Sequence, residues 1–243
     1  MFGLRRVKIG FKEVEIMFTD INQLNLEKPK PASQFIPDWY KNTVSYLTDD
    51  KKPTGQGKTS VTIKKCMPVF DAITAGYIIT LPADVWVSLK EVDGKKIQYF
   101  EWSNFNLVEF HPIEQAPLHP SANSYSYPKF MNPWAVKTPK GYSSLFVQPF
   151  HRESIFTILP GIVDTDTYSA PVNFPMVIND INFEGLIPVG TPIAQVIPFR
   201  REKWVNKIGK HTELNSMNKI TQKLETKFFD RYKTLFWAKK EYK

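Results

Sequence analysis

Nineteen prolines are spread through the chain, against eleven glycines, and this distribution is the strongest constraint on the fold. Proline interrupts helix interiors and fixes the backbone in turns, so long helices are disfavoured wherever it recurs. Between residues 61 and 199, short apolar runs alternate with Pro, Gly, Asn and Asp, as is typical of a sandwich or barrel. The pattern therefore predicts a mainly β body over residues 61–200.

Two local patterns in this body are specific enough to predict elements. Asp93-Gly94 lies between the alternating runs 84–90 and 97–102, and Asp-Gly tolerates the positive φ of a tight hairpin. Residues 189–199 predict a central strand in which Ile193, Val196 and Ile197 are buried. Residues 110–131 contain four prolines and three serines and are expected to be irregular. Within residues 61–199, helical periodicity is found only near residues 69–73.

The segments on either side of the body differ from it in pattern. Residues 1–60 are expected to form an arm, with a strand or hairpin over 7–16, a short helix from Pro37 to about Tyr46, and a loop over 48–60. Residues 201–243 predict a basic amphipathic helix, because apolar residues recur there every three or four positions. These residues are Leu214, Met217, Ile220, Leu224, Phe228, Tyr232, Leu235 and Phe236. So wide a stripe is expected to dock on protein.

The charge of the chain is concentrated in that last segment. Residues 201–243 hold 12 of the 32 basic residues and 5 of the 24 acidic ones, so the body is nearly neutral and nucleic-acid binding is not expected. The sequence has no apolar run of about 20 residues and no signal-peptide core, so we expect no membrane segment. The lone cysteine, Cys66, excludes an internal disulfide and is expected in the core of a cytosolic protein.

Four stretches resemble the dUTPase and dCTP-deaminase superfamily in order and spacing. They are Ala75-Gly76-Tyr77, Gly141-Tyr142-Ser143-Ser144, Pro160-Gly161-Ile162-Val163-Asp164-Thr165-Asp166-Thr167-Tyr168, and Val189-Gly190-Thr191-Pro192-Ile193-Ala194-Gln195-Val196-Ile197-Pro198-Phe199. The resemblance covers about residues 70 to 200. It implies a dUTPase-like β-clip, a distorted all-β barrel, which usually forms a homotrimer with active sites between subunits.

The same resemblance implies roles for individual residues. Asp164 matches the carboxylate that activates water, and Tyr168 lies one residue beyond the tyrosine that stacks on the base. Gly161, Arg152 and Gln195 are implied, with Tyr168, as substrate-binding residues. Arg152 belongs to residues 149–154, which stand where the family has a phosphate-binding Pro-Arg-Ser-Gly motif. Mg²⁺ is implied only for an active nucleotide hydrolase, and otherwise no cofactor is expected.

Several positions depart from the family pattern. Ile78 replaces the acidic residue after Ala-Gly-Tyr, no glycine follows Gly209 in the tail, and Pro175, Met176 or Val177 replaces the deaminase glutamate. Isoleucine cannot ligate a hard cation, and none of these three residues can transfer a proton. Asp164 and Asp166 also suit ordinary turn chemistry, because aspartate side chains hydrogen-bond to nearby backbone. Classical catalysis is therefore not expected.

The whole chain resembles a group of phage-encoded proteins with no assigned activity, through the stretches 35–41, 129–134 and 138–143. We therefore expect a non-catalytic assembly or binding protein in the host cytoplasm or the virion, contacting other virion proteins through residues 201–243. The alternative is a Mg²⁺-dependent deoxynucleotide pyrophosphatase that combines Asp164 with Asp166, Glu153 or Asp71.

One further constellation contains His111, His119 and His151 with Glu109 and Glu114. A divalent metal needs three or four converging ligands, and a proline follows both His111 and His119, which favours extended turns over a helix face. Structural roles are thus preferred for these histidines, and no metal site is predicted.

Overall fold

The computed structural model describes residues 13–47, 61–103, 106–115, 126–209, 217–220 and 232–243, and over these ranges the fold is mainly β. The strands are β1 Met17–Asp20, β2 Lys30–Pro31, β3 Tyr77–Thr80, β4 Val85–Val92, β5 Lys95–Trp102, β6 Val108–Pro112, β7 Ser126–Phe130, β8 Trp134–Lys137, β9 Tyr142–Val147, β10 Phe156–Ile158, β11 Gly161–Val163, β12 Phe174–Ile178, β13 Gly185–Ile187 and β14 Pro192–Arg200. Two α-helices have both ends described, α1 Asp38–Asn42 and α2 Met67–Thr74. Tyr232–Phe236 forms a π-helical turn, and Ala32–Phe35, Ile63–Lys65 and Ile113–Gln115 form 3-10 turns.

The strands pair antiparallel in four sheets within the described ranges. Their orders are β11-β9-β14-β3-β2, β10-β12-β7-β6, β13-β4-β5 and β1-β8. None of these sheets closes on itself, so the mainly β class is confirmed while a closed barrel is not observed. No helix in the described ranges is long and apolar enough to cross a membrane.

The Asp-Gly hairpin prediction is confirmed. Strands β4 and β5 pair from Val85 with Trp102 to Val92 with Lys95, leaving Asp93 and Gly94 as the turn. Both turn residues have positive φ, 52° and 73°, as a tight hairpin between twisted strands requires.

Strand β14 is central in the five-stranded sheet, as predicted, between β9 and β3. Ile193 and Val196 are fully buried, but Ile197 is only half-buried, because the strand leaves the core towards its carboxyl end. Gly76 enters β3 with φ of +66°, and a Cβ there would lie 1.9 Å from the Val196 carbonyl oxygen. Only glycine permits this approach of backbone to the central strand.

The hydrophobic core draws side chains from strands of all four sheets. Phe130 and Phe156 meet edge to face at 4.8 Å between ring centroids, and Phe146 packs on Phe174 at 5.9 Å. All four rings are at most 2% exposed, so aromatic side chains fill the centre of the core. Cys66 was expected in this core, but it is half-buried and precedes α2 as its N-cap residue.

The prediction that residues 110–131 are irregular is wrong at both ends. Strands β6 and β7 pair across five residues, with Phe110 opposite Pro128 and Pro112 opposite Ser126. Prolines are tolerated at strand ends and where the ladder needs no N–H, so proline content alone overstated the loop. Residues 116–125 lie outside the described ranges.

The flanking segments follow the predictions only in part. Helix α1 is shorter than expected, ending at Asn42, and the strand or hairpin expected over 7–16 falls partly outside the described residues; strand β1 begins only at Met17. The prediction of a continuous helix over residues 201–243 is wrong at both ends, since residues 201–209 and 237–243 are not helical. Residues 217–220 are helical, and the rest of the predicted apolar stripe up to residue 231 is not described.

The end of the chain contacts the body instead of continuing as a helix. Trp237 Nε1 donates to both carboxylate oxygens of Asp71 at 3.0 Å, and Lys240 also binds that carboxylate. The rings of Tyr242 and Tyr77 meet edge to face at 6.0 Å. Residues 237–242 therefore dock on α2 and β3 of the same chain. The expected docking of the apolar stripe itself is not observed in the described residues, because its described members are 42–59% exposed: Met217, Ile220, Tyr232, Leu235 and Phe236.

Candidate functional site

The acidic turn, residues 164–168, follows strand β11 and contains the predicted catalytic residue. The backbone N–H groups of Thr167 and Tyr168 donate to the Asp164 carbonyl at 3.0 and 2.8 Å, which coils the turn. Its centre, Thr165, is completely buried and its hydroxyl lies 2.7 Å from that of Thr138 and 3.0 Å from that of Ser144. A buried hydroxyl cluster thus fixes the two flanking aspartates.

Arg201 joins these two aspartates. Its Nη1 donates to Asp164 Oδ1 at 3.0 Å and to Asp166 Oδ1 at 2.9 Å, and its Nη2 donates to Asp166 Oδ2. The Gly141 N–H and the Ser143 hydroxyl add donors, at 2.8 Å to Asp166 and 2.6 Å to Asp164. The guanidinium therefore bridges the two carboxylates.

Arg201 supplies one positive charge to two carboxylates, so these three side chains together carry a formal charge of −1. Hydrogen bonds from Arg201 and from the Gly141 N–H lower the pKa of Asp166 to about 2. Hydrogen bonding to Asp166 raises the pKa of Arg201 above its ordinary value. The Asp166 side chain is only 3% exposed, whereas that of Asp164 is 61% exposed. Asp166 is consequently a structural anion, and Asp164 is the only carboxylate of the pair with free access to solvent.

Tyr168 lies beside Asp164 at an open depression of about 450 Å³. Ile162, Val163, Pro171, Val172 and Asn173 complete its lining. The Tyr168 ring is 51% exposed, so it is accessible to a ligand. The structure thus brings together Asp164 and Tyr168 among the predicted site residues.

Gln195 does not line this depression. It is 1% exposed, its Nε2 donates to the carbonyls of Ala72 at 2.9 Å and Ala75 at 2.6 Å, and its Oε1 accepts from Phe150 N at 3.0 Å. Both amide hydrogens are used, so Gln195 ties α2 and the loop after β9 to the central strand. Gly161 is exposed, with open space where a Cβ would lie, so a backbone requirement for glycine is not observed there.

Arg152 lines a different depression, of about 560 Å³, formed by Trp39 and residues 147–153. Trp39 Nε1 donates to the His151 carbonyl at 2.6 Å, which joins α1 to the loop after β9. His151 has φ of +55°, so this contact holds a backbone conformation uncommon for a side-chain-bearing residue. No local pattern identifies Trp39 as a partner of this loop, because 112 residues separate it from His151.

The remaining predicted carboxylates and histidines do not form a site. Asp71 is engaged by the tail, and His111 contacts Gln115. Among the described residues, no three His, Cys, Asp or Glu side chains converge as metal ligands. Glu109 pairs with Lys129 at 3.0 Å, Glu114 and Glu153 are exposed, and His119 lies outside the described ranges.

The residue that sequence reasoning missed is Arg201. It directly follows β14, and its backbone N–H donates to the Gly141 carbonyl at 2.8 Å. Nothing in the spacing of Asp164 and Asp166 identifies an arginine 35 residues beyond Asp166 as their partner. Ile78, which replaces the family's acid, is 1% exposed and packs in the sheet between β2 and β14.

No protein-family model matches the chain, and the search of curated proteins gives no significant match.

Proposed function

We propose that the chain is a non-catalytic assembly or binding protein of phage origin, built on a dUTPase-like β-clip and active as a homo-oligomer, a trimer by the family resemblance. The observation that carries this proposal is the exposed arm, residues 202–209. Trp204 is 87% exposed, Val205 80% and Ile208 96%. Large apolar side chains left in water at such fractions mark a protein interaction site.

The arm leaves the body at a fixed point, because Arg201 is anchored to the acidic turn immediately before it. Its apolar side chains are therefore presented at a defined place on each subunit, as a closed symmetric oligomer requires. Lys203 precedes these side chains and Lys207 lies between Val205 and Ile208, and the two lysines keep the free arm soluble. The second copy of the chain is the partner we propose for it, in the host cytoplasm or the virion.

The contacts of the acidic turn support a structural role for its two aspartates. Asp166 is held by Arg201 and by the Gly141 N–H, and Asp164 Oδ1 accepts from Ser143 and Arg201. A Mg²⁺ ion shared by the two carboxylates would have to displace the Arg201 guanidinium that bridges them.

The double substitution Trp204→Ser with Ile208→Ser tests the arm. Light scattering at micromolar concentration should show an oligomer for the natural chain and a smaller species for the variant. Val44→Ser with Leu47→Ser is the matched control, because these side chains are also exposed, at 61% and 70%, but lie before the body. A natural chain that is monomeric, or a variant that keeps the oligomer, contradicts the proposal for the arm.

The second candidate function is a deoxynucleotide pyrophosphatase, favoured by the exposed Asp164 beside Tyr168 in one depression. Incubation with each deoxynucleoside triphosphate and Mg²⁺, with assays for pyrophosphate and ammonia, separates the two functions. We expect no turnover. Turnover that Asp164→Asn abolishes in a folded protein would establish the enzyme instead.

A further inference from the structure

The depression lined by Trp39 and residues 147–153, here named the Arg152 depression, contains an unmatched cation. Arg152 is half-buried, and its Nη2 is buried without a hydrogen-bond partner. Burial lowers the pKa of Arg152, and the nearby Asp38 charge opposes this only in part. Leaving a buried charged donor unpaired is costly, so this arginine lacks the partner that its position demands.

The chemistry of that partner is an oxyanion. A guanidinium presents planar N–H groups that match the two oxygens of a carboxylate or of a phosphate. Asp38 does not fill this role, since its carboxylate pairs with Lys41 at 2.9 Å and its side chain is 85% exposed. The partner must therefore come from outside the described residues that surround Arg152.

The charges of the depression favour a carboxylate over a phosphate. Two of its N–H donors are already engaged, Phe150 N by Gln195 and Trp39 Nε1 by the His151 carbonyl. Glu153 also lines the depression and repels a dianion more than a monoanion. A single carboxylate therefore suits the one guanidinium charge of Arg152.

The rest of the lining indicates what carries the carboxylate. Trp39, Val147, Pro149 and Phe150 contribute apolar surface to the depression. The indole of Trp39 is 39% exposed and already meets the His151 ring edge to face, at 6.4 Å between centroids. An aromatic or aliphatic body would bury against these side chains while its carboxylate reaches the arginine.

The depression is held open before any ligand arrives. The Trp39 hydrogen bond fixes one wall, and the buried Gln195 amide fixes the Phe150 backbone opposite. These two walls therefore need little ordering on binding, which favours affinity for small molecules. The Arg152 side chain has to reorient towards the ligand, because its Nη2 is buried, and the Trp39 indole lines the same depression and would report the bound ligand.

We propose that the Arg152 depression binds a single carboxylate group carried on an apolar or aromatic body. The carboxylate belongs to a small organic acid or to the carboxyl end of a peptide, since both offer the same two oxygens. This inference uses neither the exposed arm nor the acidic turn, so it stands or falls independently of the proposed function.

The test is an NMR titration of the full chain followed at the indole N–H of Trp39, assigned with Trp39→Phe. The probes are N-acetyl-phenylalanine as a peptide carboxyl end, 3-phenylpropionate as a small acid, N-acetyl-phenylalaninamide without a carboxylate, and phenyl phosphate as a dianion. We expect saturable shifts with one or both acids at a Kd of about 1 mM, and at least tenfold weaker binding of the amide. Tighter binding of N-acetyl-phenylalanine than of 3-phenylpropionate identifies a peptide source, and equal binding a small acid.

Two substitutions assign the binding to the arginine. Arg152→Met should weaken acid binding at least tenfold, whereas Arg200→Met, which removes an exposed arginine of the same charge, should change it less than twofold. Circular dichroism confirms that both variants are folded. Tighter binding of phenyl phosphate than of the acids, equal binding of amide and acid, an unchanged Kd in Arg152→Met, or no saturable shift up to about 20 mM each overturns the proposal.

Discussion

The acidic turn and the Arg152 depression both contain an arginine beside strands of the five-stranded sheet, but the two guanidinium groups are hydrogen-bonded differently. Arg201 is surrounded by two carboxylates, a hydroxyl and a backbone carbonyl. Arg152 has a buried Nη2 with no partner. The arginine of the acidic turn is therefore held by the chain's own groups, whereas the arginine of the depression has donor capacity left over.

Gln195 connects the two regions, because it belongs to the central strand and holds the loop that forms the Arg152 depression. Gln195→Leu should lower the free energy of unfolding by about 3 kcal/mol, since two carbonyls and one N–H lose their buried partner at about 1 kcal/mol each. Urea denaturation measures this change. Gln98→Leu, which removes hydrogen bonds at an exposed site, should stay within about 0.5 kcal/mol, and equal losses would contradict a special role for Gln195.

The ion pairs of Arg201 with Asp164 and Asp166 predict that the stability of the acidic turn depends on this arginine. Arg201→Met should lower Tm by several degrees, because it leaves the enclosed Asp166 carboxylate without its cation. Differential scanning calorimetry provides the measurement. Arg200→Met is the control, since that side chain is 70% exposed and its ion pair with Glu202 is long, at 3.6 Å. The interpretation fails if the two variants melt together.

The lowered pKa of Asp166 predicts an acid-sensitive contribution to stability. Because its pKa falls from 3.8 to about 2 on folding, the stabilisation is complete above about pH 4 and is lost as the pH falls towards 2. The natural chain should therefore lose more stability than Asp166→Asn over that interval. Urea unfolding at several pH values measures the difference, and parallel profiles for the two proteins would be the contrary result.

The unmatched arginine predicts the smallest effect on stability. Arg152→Met should leave the free energy of unfolding unchanged or raise it by up to about 1 kcal/mol, because methionine keeps the apolar stem and removes an unpaired buried donor. Urea denaturation without added ligand measures this free energy of unfolding. A loss above about 2 kcal/mol would show that Arg152 has a structural partner and that the two arginines do not differ.

Local chemistry made some features predictable. The Asp-Gly turn dictated the β4–β5 hairpin, because positive φ at two adjacent positions is tolerated by few residue pairs. The apolar run in β14 indicated a buried strand, and Ile193 and Val196 confirm it. By contrast, proline content misassigned β6 and β7, because pairing between strands outweighs local preference when a proline stands where no ladder bond is needed.

The sequence by itself determined the mainly β class, the hairpin and the central strand, since these depend on residues close together in the chain. Only the tertiary structure decided what the candidate residues do. Arg201 meets Asp166 across 35 residues, Trp39 meets the His151 carbonyl across 112, and Gln195 reaches Ala72 across 123. Such contacts leave no local pattern, because their partners are selected by how the strands stack and not by spacing along the chain.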